Sequence, residues 1–205
     1  CGALHAHAGD LDSARRLARR NISAFERSRA DQIVVNAAGC GAALKDYGHW
    51  FEREPEWQAR ALRFSACVRD ISETLAELGP ATGAPLQLRV ALDPPCHLLH
   101  AQGVDEAARR VLAAIPQLEV VDVPSGAECC GGAGLYGLTH PELADGITAD
   151  KIDAIESTGC HHAATANPGC MMQIGAALLL RDSDVRVVHP IELLAESYRI
   201  QDQAP

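Results

Sequence analysis

Apolar residues return at steps of three and four between Leu11 and Arg29: Leu11, Ala14, Leu17, Ala18, Ile22 and Phe25. That period puts them on one face of an amphipathic helix, with Asp10 or Asp12 as the candidate cap. Gln32-Ile33-Val34-Val35-Asn36 is short, β-branched and closed by a turn, the signature of a buried strand. It runs into Ala38-Gly39-Cys40-Gly41, after which a helix is expected, then a long one over 56–78 ending at Gly79-Pro80. Residues 81–85 hold Thr, Gly and Pro with little to pack, and read as a linker. Beyond them the alternation restarts. Strands are predicted over 86–92, 118–123, 163–166 and 185–188, and helices over 104–115, 141–157, 171–180 and 190–198. Strands alternating with helices predict an α/β fold whose mainly parallel sheet is covered on both faces.

The cysteines fall on this pattern at particular places. Cys40, Cys96, Cys129, Cys130 and Cys170 each come just after the carboxyl end of an expected strand. Open α/β sheets bind their ligands at that edge. The densest stretch is Glu128-Cys129-Cys130-Gly131-Gly132-Ala133-Gly134. Adjacent cysteines do not comfortably bridge each other. Two thiols followed by glycines, which let backbone approach closely, look like ligands wrapped around an inorganic cluster. Cys96 lies 33 positions before Cys129 and Cys170 lies 40 after Cys130, in the turns Asp93-Pro94-Pro95-Cys96 and Asn167-Pro168-Gly169-Cys170. Zinc is the rival metal. Structural zinc usually takes two close pairs such as C-x-x-C, whereas this set spreads over residues 96–170 with an adjacent doublet, which favours iron–sulfur. Cys67 and Cys160 lack the turn context and read as buried or incidental thiols.

The chain also repeats itself. Cys1-Gly2-Ala3 is similar to Cys130-Gly131-Gly132-Ala133, and each is followed by a helix with an Asp in its first half. A short strand comes next, then Gly39-Cys40 or Gly169-Cys170, 39 residues after Cys1 and 40 after Cys130. Duplication of one unit gives two pseudo-repeated lobes with mainly parallel sheets flanked by helices, and cysteines at the carboxyl ends of strands. The domains expected are a first repeat over 1–80 that lacks its front, the linker 81–85 and a complete second repeat over 86–205.

Composition narrows the partners. The chain has 205 residues, 47% of them apolar, enough for one large core or two small ones. Its 18 basic against 27 acidic residues give a net charge of −9 with no polybasic cluster, so nucleic acid is not an expected partner. Arg15, Arg16 and Arg19 share helical spacing and read as a solvated face. The longest apolar run, Ile174 to Leu180, is too short to span a membrane, is interrupted by Gly175, and fits a buried helix. Cys1 is not followed by a signal-peptide pattern and the sequence starts without Met, so a piece of a longer cytoplasmic chain is expected. Eight cysteines are few for a disulfide scaffold of this size and suit metal ligands or redox groups in a reducing compartment. Gly131, Gly132 and Gly134 lack the acidic residue of a dinucleotide site. His97 and His100 stand either as hydrogen-bond partners of a cluster or as ordinary turn histidines, as do His5 and His7 beside Cys1. His161-His162 simply precede a strand. No Ser-His-Asp set, paired catalytic carboxylates or phosphate loop is visible.

Cys96 … Cys129-Cys130-Gly131 … Cys170, with its partial second copy, resembles the cysteine-rich "CCG" domain. That domain occurs in heterodisulfide reductase B subunits, lactate-utilisation iron–sulfur proteins and glycolate oxidase iron–sulfur subunits. Cys1-Gly2-Ala3-Leu4-His5-Ala6-His7, Gly39-Cys40-Gly41-Ala42, Cys96-His97-Leu98-Leu99-His100-Ala101-Gln102 and Leu138-Thr139-His140-Pro141-Glu142-Leu143 are most similar to the carboxy-terminal part of the glycolate oxidase (glycolate dehydrogenase) iron–sulfur subunits. The resemblance implies that Cys96, Cys129, Cys130 and Cys170 ligate one iron–sulfur cluster and that Cys1 and Cys40 are half of a second site; packing against such a cluster suits Gly131 and Gly132, with His97 the candidate beside Cys96. It further implies an electron-transfer subunit that is not catalytic alone. Partner subunits carrying FAD would convert glycolate to glyoxylate, and electrons would pass towards a quinone or another acceptor. The location implied is cytoplasmic, with peripheral attachment to the membrane through the complex. Heterodisulfide reductases carry a further cysteine in a C-x-x-C after the final ligand, where this chain has Gln173 and Ala43. Four cysteines per complete repeat suit an ordinary [4Fe–4S]. Cluster-based disulfide reduction, a lactate-oxidising complex and a zinc-stabilised interaction module stand as alternatives. Family members also have an amino-terminal ferredoxin-like region, for which this chain has no candidate motif.

Overall fold

The computed structural model describes residues 1–124 and 126–203, and the chain divides into two units, Cys1–Ile71 and Ser72–Pro205. In the first, a short α1 (Ala3–His7) precedes α2 (Leu11–Ser28). Asp10 caps α2 by accepting from the Ser13 N–H at 3.0 Å, and Ala14, Ala18 and Ile22, each one turn on, are fully buried. There follow β1 (Ile33–Val35), α3 (Ala38–Lys45), α4 (Tyr47–Trp50), α5 (Pro55–Ala66) and β2 (Val68–Asp70). β1 and β2 pair in parallel, with Val34 opposite Arg69. The core is aromatic: Tyr47 stacks on Phe64 at 5.2 Å between centroids, and Phe25 meets Phe64 edge-on at 5.6 Å. The arginine face of α2 is not simply solvated. Arg19 pairs with Glu54 and lies over the rings of Phe51 and Trp57, covering apolar surface with its stem.

The single helix expected over 56–78 is broken. α5 stops at Ala66, β2 occupies three residues and α6 (Ile71–Leu78) follows. The Ile33 N–H donates to the Cys67 carbonyl at 2.9 Å, so pairing with β1 captures backbone that a helix would otherwise use. A strand this short shows no alternation that sequence could reveal.

The second unit continues with β3 (Leu88–Leu92), a π-helical turn (His97–Ala101), α7 (Glu106–Leu112), β4 (Leu118–Asp122), α8 (Tyr136–Thr139) and α9 (Pro141–Ser157). It ends with β5 (His162–Ala164), α10 (Pro168–Leu180), β6 (Arg186–Val188) and α11 (Pro190–Asp202). The strands form one parallel sheet in the order β4-β3-β5-β6, with Val90 facing both Val120 and His162. Val90, Ala91 and Leu92 are all buried, as the middle of a doubly covered sheet requires. The chain steps from β3 outward to β4 and then returns to β3's other side with β5. The crevice at that reversal is where sheets of this kind bind ligands.

Residues 81–85 run along α11, where Ala84 N–H donates to the Ser197 carbonyl at 3.1 Å and the Tyr198 hydroxyl to the Ala81 carbonyl at 2.9 Å. The apolar run of α10 is not wholly buried as expected. Ile174 and Leu178 face the core, while Leu179 and Leu180 are 76% and 87% exposed. One face of a helix is all a sheet can cover, so a continuous apolar run leaves its far side in water.

A candidate multi-thiol metal centre

Three loops at the carboxyl edge of the second sheet carry the site. After β3, Pro94-Pro95 turn the chain into the π-helical segment and Cys96 sits at its start. After β4 comes Cys129-Cys130, and Gly131 follows at φ +87°. A Cβ on Gly131 would lie 2.3 Å from Thr148 Oγ1 and 2.7 Å from the Ala144 carbonyl, so only glycine brings the doublet this close to α9. After β5, Pro168 begins α10 and places Cys170 in its first turn. Cys130 and Cys170 are buried, and Cys96 and Cys129 half-buried.

The four sulfurs interact in a row, Cys96 with Cys129, Cys129 with Cys130, and Cys130 with Cys170. Among the described residues, no three His, Cys, Asp or Glu side chains are grouped to hold a single metal ion. Hydrogen bonds from the Cys130 and Cys96 thiols, helped by the Gly131 N–H at 3.4 Å, hold Cys129 well below the ordinary thiol range. Cys170 is lowered by the Cys130 thiol and by Asn167 Nδ2, which donates to its sulfur at 3.3 Å. The two donors move the other way: Cys96 is pushed up by its bond to Cys129, and Cys130 by its bonds to Cys129 and Cys170, with burial adding to both. A polynuclear iron–sulfur centre takes one thiolate per iron, and four loop-borne sulfurs with backbone and amide N–H donors supply that set. The donors fit such a group.

Behind the thiols, Thr148 donates to the Cys130 carbonyl at 3.0 Å and accepts from Gln173 Nε2 at 2.9 Å. Thr148, Gln173, Asn167, Asp93 and Lys151 did not stand out as site residues in the sequence. The available signal was that Thr148 and Lys151 interrupt the buried stripe Ala144, Ile152, Ile155 of α9 with polar groups that are themselves buried.

The other candidates are placed as follows. His97 Nδ1 is 3.7 Å from Cys96 Sγ, and His100 Nε2 is 3.1 Å from the Ala127 carbonyl. Gly132 lies beside Cys130, its ideal Cβ position 3.5 Å from that sulfur. In the first unit, Cys1 and Cys40 bring their sulfurs to 3.3 Å, with the Tyr47 hydroxyl donating to the Cys1 carbonyl at 2.6 Å. His5 pairs with Asp10 at 3.5 Å. Cys160 is buried and Cys67 half-buried, and neither joins the row.

A parallel α/β sheet with thiols collected from separate loops at its carboxyl edge defines a class of cysteine-rich metal-binding folds. The profile of the family described as "Cysteine-rich domain" (CCG) matches residues 1–45 and 90–175, well over half of the chain. The chain belongs to that family. It is 34% identical, over 96% of its length, to the "Probable glycolate oxidase iron-sulfur subunit" of Bacillus subtilis (strain 168), of which it spans 46%. It is 28% identical to "Lactate utilization protein A" of Oceanobacillus iheyensis and 29% identical to that of Geobacillus kaustophilus, covering 95% of this chain each time and 80% and 81% of those proteins.

Proposed function

We propose that this chain is the electron-carrying part of an iron–sulfur subunit in a 2-hydroxy-acid oxidation complex, with glycolate as the acid. The observation that carries this reading is the row of four thiols. Residues gathered from three loops of one sheet edge place each sulfur beside the next along the row, which scattered structural cysteines have no reason to do. Cys96, Cys129, Cys130 and Cys170 would hold a [4Fe–4S] cluster, which when bound supplies one-electron transfer. Gly131 N–H and Asn167 Nδ2 offset the negative charge of the ligand sulfurs. Burial of Cys130 and Cys170 keeps water from the inner side. FAD on partner subunits would collect two electrons from glycolate, and this chain would hand them on singly towards a quinone or another acceptor. Cys1 and Cys40 would contribute to a second site. No helix among the described residues is long and apolar enough to cross a membrane. The complex would be cytoplasmic, with peripheral attachment to the membrane.

A lactate-oxidising complex is the second reading, favoured by relatives that this chain covers over about four fifths of their length. Protein purified without oxygen is expected to carry iron and sulfide in equal amounts and a broad visible absorption band. Cys129→Ser and Cys130→Ser are each expected to lose that band. Stoichiometric zinc without sulfide, or an unchanged band in both variants, would overturn the reading. Assay of the assembled complex with glycolate against lactate separates the two acids.

A further inference from the structure

One buried ion pair lies behind the thiol row. Lys151, on α9, donates from Nζ to Asp93 Oδ1 at 2.7 Å and to the Gly126 carbonyl at 3.3 Å, and the two side chains are 2% and 3% exposed. Asp93 follows β3 directly, three residues before Cys96, and its N–H donates to the Ala164 carbonyl at the end of β5 at 2.9 Å. Gly126 stands three residues before Cys129. One ammonium therefore joins the loop bearing Cys96 to the loop bearing Cys129 and Cys130. The backbone of its partner is fastened to the strand that leads to Cys170. Burying such a pair costs about as much desolvation as its attraction returns, so stability alone gives no reason for it. The carboxylate of Asp93 also lies near enough to Cys129 and Cys170 for their charges to act on one another. An uncompensated carboxylate there would oppose any anionic sulfur centre.

We propose that Lys151 and Asp93 are a positioning pair for the thiol site: the ammonium ties together the loops that carry the cysteines and cancels the carboxylate's charge behind them. The proposal rests on the iron–sulfur reading for its electrostatic half, whereas the tying of the loops stands without iron.

The test uses the full chain purified without oxygen as wild type, Asp93→Asn, Lys151→Met and the double variant Asp93→Leu with Lys151→Met. The first measurement is the midpoint potential of the visible band. Removing a buried negative charge favours the added electron and removing a positive one opposes it. Asp93→Asn is expected to raise the potential and Lys151→Met to lower it, each by about tenfold in the reduction equilibrium, or about 59 mV for one electron. The double variant falls between them. The second measurement is urea denaturation of the iron-free chain, in which each single variant unfolds at lower urea and the double variant recovers part of the loss. Single variants that shift the potential the same way, or that denature like wild type, would overturn the proposal. If Lys151→Met does not fold, Lys151→Arg replaces it: it keeps the charge and holds the wild-type potential, and a tenfold change there counts against the pair. A wild-type chain that takes up no iron would sink the iron–sulfur reading instead, and denaturation alone then decides whether the pair ties the loops.

Discussion

The two units carry the same local device and furnish it differently. Gly2 and Gly131 follow Cys1 and Cys130 at φ +89° and +87°, and each approaches an alanine of the next long helix, Ala14 or Ala144. That helix leads to a short parallel strand and then to Cys40 or Cys170 in the next helix, α3 or α10. One turn past the alanine, the first unit has Ala18 and the second Thr148; three residues further stand Asn21 and Lys151. Three residues before the later cysteine, Ala37 corresponds to Asn167. The second unit thus surrounds its sulfurs with donors and a buried charge pair, while the first offers a sulfur pair and an Asn21–Tyr47 contact at 2.8 Å. The comparison teaches that the glycine turn fixes where a cysteine goes. The polar residues around it are what differ between the two units.

The largest expected effect separates the two cysteine sets. Cys170→Ser is expected to abolish the cluster of the second unit, whereas Cys40→Ser leaves it in place; iron and sulfide per chain, with the visible band, report the difference. Next come the glycines. Gly131→Ala forces a left-handed backbone and a clash of its Cβ with Thr148 and Ala144, for roughly 3 kcal/mol or more of stability. Gly2→Ala meets its neighbours only at 3.2 Å and is expected to cost about 1–2 kcal/mol, so urea denaturation should rank the pair in that order.

Alkaline pH should also tell the units apart. Burial pushes the Tyr47 phenol up to about 12, against about 10 for the unfolded chain. The folded state keeps that proton longer, so its contribution is complete below pH ~10 and falls by about 2–3 kcal/mol as pH rises to ~12. Tyr47→Phe is expected to flatten that part of the stability–pH curve. A curve as steep as wild type would contradict the assignment. The smallest effect is at Asn167→Ala, which removes one amide donor from Cys170. The reduced centre is expected to lose about 1 kcal/mol of stabilisation, seen as a lower midpoint potential with iron content unchanged.

Much of the architecture was legible because its signals are local. The period of Leu11, Ala14, Ala18 and Ile22, the Pro141 and Pro190 helix starts and the β-branched strands each declare themselves within a few residues. Cys40, Cys96, Cys129, Cys130 and Cys170 stood out because each comes just after an expected strand. β2 was hidden inside a helical-looking stretch, since three residues paired to a distant strand leave no period to read. The exposure of Leu179 and Leu180 depends on which face of α10 the sheet covers, and composition does not encode that. Lys151 and Asp93 are 58 residues apart, and nothing short of the fold brings a helix ammonium beneath a strand-end carboxylate.

The most direct test is an electron paramagnetic resonance spectrum of the full chain, reduced without oxygen, for wild type, Cys40→Ser and Cys170→Ser. The account predicts a cluster signal from the second unit in the first two that is missing from the third. The same signal persisting in Cys170→Ser would show that the sulfurs of residues 96, 129, 130 and 170 do not share one centre.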